Sequence, residues 1–116
     1  MFMQTNPFIT VRARRPLTDI EFCAWVAQAA PGDRLEYHRG YLVLDTYPLC
    51  SALDDKARGE LARLAGRAFW AAEQGLVHLV QERVGPDRFA YIAVARPKPK
   101  AAAASLSALL LEEQAA

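Results

Sequence analysis

Four arginines carry the chemistry that this chain is best placed to do. Arg63 and Arg67 lie four residues apart in a segment of helical spacing, and Arg83 and Arg88 flank the turn Gly85-Pro86-Asp87. A guanidinium is a rigid fork of donors that fits phosphate oxygens or the O6/N7 edge of guanine. Lys56, Glu60, Arg63, Arg67 and Trp70 recur at intervals of three and four, so a helix brings them to one side. That is where a recognition helix carries its contacts, while Arg83 and Arg88 at a hairpin tip would straddle a backbone. The competing reading is a solvated face on which Glu60 pairs with Lys56 or Arg63. Trp70 is either buried against the hairpin or a partial anchor for a protein partner.

Other reactive groups are sparse. His38 and His78 are the two histidines, and no Cys or Asp cluster joins them at a metal-ligand spacing. Both read as structural, and neither a metal nor a cofactor is expected. Asp54 and Asp55 are adjacent carboxylates, but a helix start, where the dipole favours negative charge, accounts for them. No glycine-rich phosphate loop, nucleophile elbow or HExxH motif occurs. The expectation is a non-enzymatic protein. Cys23 and Cys50 belong to no CxxC pair, and two cysteines make no disulfide framework. Cys23 falls in an apolar helical pattern and reads as a small core hydrophobe.

Composition bounds the partners. At 116 residues, 53% of them apolar and 23% charged, the chain fits one soluble globular domain. The net charge of +1 is weak for a nucleic-acid binder, whose affinity comes largely from basic excess. Glu112 and Glu113 sit in the tail, so the part before it is slightly more basic. The start, MFMQTNPF, lacks the basic-then-apolar pattern of a secretory signal, and no apolar run approaches membrane-spanning length. A cytoplasmic protein is expected.

The elements that must position these residues are legible in turn. Ile9 to Arg15 alternate, with Thr10, Arg12 and Arg14 on a basic face, as in a short strand or extended arm. That face can touch phosphate, but an arginine-guarded edge strand is the favoured reading. Thr18 and Glu21 form a capping box before the first helix, with Leu17 and Phe22 as a hydrophobic staple; Pro31-Gly32 ends it. A strand is expected over Arg34 to His38, with Gly40 at a bulge or turn and a less regular apolar segment beyond it. Ser51 opens the longest helical pattern. Leu53, Ala57, Leu61, Leu64, Ala65, Ala68, Phe69 and Ala72 form its apolar stripe, and Gly75 is the residue beyond its end. Gly59 and Gly66 mark either a break into two helices or close packing against a neighbour; one continuous or gently kinked helix is preferred. A hairpin from Leu76 to Arg96 follows, then a stiff basic exit, Arg96 to Lys100.

The expected fold is α+β: a compact winged-helix-like domain over residues 1–100, ordered helix, strand, long helix or helix-turn-helix, β-hairpin. An Ala/Leu-rich tail over 101–116 docks on the domain, binds a partner or frays. The stretches PGDRLEYHRGYL and AEQGLVHLVQERVGPDRFAYIAVAR, with the Ala/Arg-rich helix between them, resemble small phage and prophage proteins of proteobacteria. That resemblance implies a phage or mobile-element setting without an established activity. The first functional expectation is a small DNA-binding regulator using Arg63, Arg67, Arg83 and Arg88. The alternative is a protein-binding inhibitor of a host defence or transcription complex, akin to anti-CRISPR proteins. A homodimer through the tail or an edge strand fits either.

Overall fold

A computed structural model describes residues 10–12, 15–98 and 107–111. Its elements are β1 (Thr10–Arg12), α1 (Asp19–Gln28), β2 (Arg34–Gly40), α2 (Leu42–Thr46), α3 (Asp55–Glu73), β3 (Val77–Gly85) and β4 (Arg88–Ala95). The architecture is α+β, with a four-stranded mixed sheet ordered β1-β2-β4-β3. β1 runs parallel to β2, and the other neighbours are antiparallel.

Local sequence explains the helix ends. Thr18 Oγ1 accepts from the Glu21 amide at 3.1 Å, and Glu21 returns a carboxylate oxygen to the Thr18 amide at 3.0 Å. This is the expected capping box. α3 begins at Asp55, later than the pattern from Ser51 implied, because the Asp54 side chain caps it by accepting from the Ala57 amide at 2.8 Å. Asp54 is therefore the cap itself. At the far end Gly75 takes φ +77, the left-handed geometry that stops a helix and is easiest for glycine.

α3 is a single helix through Gly59 and Gly66. Neither glycine serves close packing. A β-carbon at Gly66 would meet nothing within 4 Å, and one at Gly59 only the end of the Arg63 side chain at 3.7 Å. The apolar stripe also differs from its expected course. Leu61, Leu64, Ala68 and Ala71 are buried, whereas Phe69 is 64% exposed and Leu53 38%. The stripe keeps a spacing of three and four centred on Leu64 and Ala68, and Phe69 stands one residue, about 100°, off that line.

The apolar segment after Gly40 is not irregular: its first part is the short helix α2. β2 continues to Gly40, and the bulge lies at Tyr37, where the register with β4 shifts between Glu36 and His38. Gly40 instead ends the strand at φ +147. Two residues, Pro86 and Asp87, connect β3 to β4, and Asp87 has φ +53.

The core joins Phe22, Cys23 and Val26 of α1 to Leu61, Leu64, Ala68 and Ala71 of α3 and to Leu35, Tyr37, Val77, Tyr91 and Ala93 of the sheet. The other sheet face carries Ile92, which is nonetheless only 1% exposed. Glu36 and Val80 flank it in register, and Arg34 pairs with Glu82 at 2.8 Å diagonally across this face. The hairpin is thus packed on one side, while on the other the Arg34–Glu82 pair crosses a face on which His78, Val80 and Glu82 stay exposed. Residues 107–111 form a helical turn whose Leu109 and Leu110 pack against the core. The remainder of the tail, and Ile9, Ala13 and Arg14 of the Ile9–Arg15 alternation, lie outside the described residues.

Candidate binding surfaces

The four arginines singled out above stand on two parts of the fold, Arg63 and Arg67 on α3 and Arg83 and Arg88 at the tip of the β3–β4 hairpin. Arg63 is exposed on α3 and makes no hydrogen bond or ion pair among the described residues. Arg67 is half-buried: its guanidinium carbon stands 5.5 Å from the centre of the Trp70 ring, and its side chain borders a recess with Asp19, Ile20, Cys23, Leu109 and Leu110. Trp70 itself packs partly against the core. Arg83 donates to its own turn, Nε to the Gly85 carbonyl at 3.3 Å, and Arg88 is exposed at the start of β4. Glu60 pairs with neither Lys56 nor Arg63; the ion pair on this helix is Arg58 with Asp55 at 2.7 Å.

A denser group of cations stands elsewhere. Alternation puts Arg12 and Arg34 on the same sheet face as Glu36, and the bulge at Tyr37 brings Arg39 to it. Arg12 and Arg39 stand at the edge of β2 that opens toward α3, and each arginine has a carboxylate partner. Arg12 Nε lies 3.1 Å from Glu36, Arg39 holds Glu36 through Nε and Nη2 at 3.1 and 2.8 Å, and Arg34 holds Glu82. Sequence reasoning singled out Arg12 but missed Arg34 and Arg39. A period of two from Arg34 to Glu36 was legible in the sequence, but Arg39 joins that face only through the bulge at Tyr37, which the sequence did not announce.

α2 and the loop after it carry a run of exposed apolar side chains. Val43 is 71% exposed, Tyr47 51% and Leu49 86%, with Tyr41, Leu44 and Leu53 also exposed. Asp45 is the one charged residue between Tyr41 and Leu53, and it faces inward. Its Oδ2 meets His38 Nε2 at 2.7 Å and accepts from the Tyr41 amide at 3.0 Å. Beside α2 a groove of about 490 Å³ runs to the hairpin, bordered by Tyr41, Val43, Leu79, Phe89 and Tyr91. Tyr41 meets Phe89 edge-on at 5.7 Å, and the Tyr91 hydroxyl accepts from the Leu42 amide at 3.0 Å. These contacts tie α2 to the hairpin and hold its apolar side chains outward.

Four groups have displaced proton affinities: hydrogen bonds to Glu21 and Glu36 raise Arg15 and Arg39, and Glu21 and Tyr37 also move. Arg15 bonds both carboxylate oxygens of Glu21 and, with the Thr18 amide, brings its pKa down to about 2. Burial, and then the neighbouring Tyr91, push Tyr37 up to about 12. Among the described residues no group of three or more His, Cys, Asp or Glu could hold a metal ion, and no described helix is long and apolar enough to cross a membrane. No family model matches the chain, and no curated protein or solved structure matches it.

Proposed function

We propose that this chain is a non-enzymatic protein-docking module whose contact surface is the run from Tyr41 to Leu53. The observation that carries this is the exposure of Val43, Tyr47 and Leu49 within seven residues of a five-residue helix and the loop that follows it. A monomeric surface rarely leaves such a patch to water without a use for it. The cations are partly engaged within the fold: the Arg67 guanidinium stands over Trp70, and Arg12, Arg34 and Arg39 share the carboxylates of Glu36 and Glu82. With the phage resemblance, the partner would be a host protein of a defence or transcription complex, met in the cytoplasm. Affinity capture tests this, with Val43→Asp and Leu49→Asp introduced together. A specific protein retained by the wild type and lost with this variant supports docking; no specific protein, or retention unaltered by the substitutions, overturns it.

A second reading, a DNA-binding winged-helix regulator, is favoured by connectivity. The order α1, β2, α2, α3, β3, β4, with β4 between β2 and β3, follows the helix, strand, helix, helix, hairpin order of that fold. On this reading α3 offers Arg63 and Arg67, and the hairpin tip offers Arg83 and Arg88 to phosphate. It requires affinity for mixed duplex DNA that falls steeply with salt, and a shallower slope after Arg83→Ala and Arg88→Ala. Absence of binding at low salt rules it out.

A further inference from the structure

The cleft along the outer edge of β2 has a chemistry that neither reading uses. β1 pairs only with Arg34 to Glu36, so no described strand covers the edge from Tyr37 to Arg39. Between this edge, the segment Arg15 to Leu17 and the first turns of α3 lies a cavity of about 340 Å³. Pockets for small molecules begin at about that size.

Its strand-side wall is cationic and held in place. Arg12 and Arg39 both bind the carboxylate of Glu36, whose side chain is only 7% exposed. Two guanidiniums share one carboxylate, so one positive charge is left over. Arg12 uses only Nε, and Arg39 uses Nε and Nη2. The remaining N–H groups have no acceptor among the described residues. Glu36 fixes both side chains in advance, so little freedom is lost when an anion arrives. Across the cleft stand Leu17, Leu53 and Leu61, an apolar wall, with Glu60 at its rim.

We infer that this cleft binds a small organic anion, a carboxylate or phosphate monoester bearing an apolar group. Its oxygens would lie on Arg12 and Arg39, where charge-assisted, bidentate bonds are strongest. Its apolar body would lie against Leu17, Leu53 and Leu61. Glu60 opposes the anion and sets a limit on its affinity.

Titration of the full chain, followed by backbone amide shifts, tests this with phenyl phosphate and benzoate as probes. At least one is expected to saturate with a dissociation constant of about millimolar or tighter, shifting amides around Glu36 to Arg39. Inorganic phosphate and benzyl alcohol, each lacking one half of the chemistry, bind about tenfold more weakly. Arg12→Gln and Arg39→Gln each weaken the organic anion about tenfold, and Glu60→Gln tightens it a few-fold. Should either arginine variant fail to fold, Ala57→Asp, at an acid-tolerant first helical turn, places a carboxylate in the cleft and abolishes binding. Absence of saturation by both probes, equal affinity for inorganic phosphate, or affinity unchanged by the arginine substitutions or by Ala57→Asp overturns the inference.

Discussion

Arg67 stands over the indole of Trp70, three residues further along α3, with its guanidinium carbon 5.5 Å from the ring centre. The pair converts a residue that looked like a surface contact into part of the helix's own packing. Arg63, one turn earlier, makes no such contact. Arg67→Ala is therefore expected to destabilise the fold by about 0.5–1 kcal/mol, the range of a cation over an aromatic face. Arg63→Ala is expected to change stability by less than about 0.5 kcal/mol. Urea unfolding of the two variants checks the contrast, and equal effects would remove the distinction.

The two kinds of glycine predict opposite outcomes. Gly66 faces open space within a helix, so Gly66→Ala is expected to stabilise by about 1 kcal/mol. Gly40 has φ +147, and a β-carbon there would come within 2.5 Å of Asp45 Oδ2, the atom that also holds His38. Gly40→Ala is expected to destabilise by about 1–3 kcal/mol through strain and through displacement of that carboxylate. Thermal unfolding of both variants reads the opposite signs directly.

Acid should act on the start of α1. Glu21 titrates near 2 in the folded chain because Arg15 and the Thr18 amide hold its charged form. An unfolded glutamate titrates at about 4.3, so the folded value is the lower of the two. The stabilisation is therefore complete above about pH 4.3 and is lost as pH falls through about 2. Glu21→Gln should be less stable than the wild type at neutral pH and converge on it toward pH 2. A difference that persists undiminished in acid would exclude this origin.

Leu109 and Leu110 lie on the chain's own core, which bears on how the tail is used. Leu109→Ala combined with Leu110→Ala is expected to lower the thermal midpoint without changing the mass in solution. Loss of a dimer at unchanged midpoint would assign those leucines to a partner copy instead.

The parts of the fold written in local chemistry were readable. Thr18 and Glu21 announce the first cap, Gly75 the end of α3, and Gly85-Pro86-Asp87 the hairpin turn, because each signal acts within a few residues. What depended on distant partners was not readable. Phe69 fits an apolar helical pattern as well as Ala68 does, and only the position of the sheet and α1 decides which is buried. Arg67 and Arg63 have equal standing in the sequence until Trp70 takes one of them. The cleft was hidden for the same reason. Arg12 meets Glu36 because β1 pairs parallel with β2, and Arg39 meets it because of the bulge at Tyr37. The fold class followed from element order, whereas the surfaces depended on which side chains the tertiary packing left uncovered.

The most direct test of the docking account compares three forms of the chain as bait in lysate from cells that express it. The wild type and the Arg83→Ala/Arg88→Ala variant are expected to retain the same protein in stoichiometric amount. Val43→Asp/Leu49→Asp is expected to lose it while keeping the wild-type thermal midpoint, because both side chains are already in water. Retention of that protein by the aspartate variant would contradict the account. So would recovery of nucleic acid alone, lost when Arg83 and Arg88 are removed.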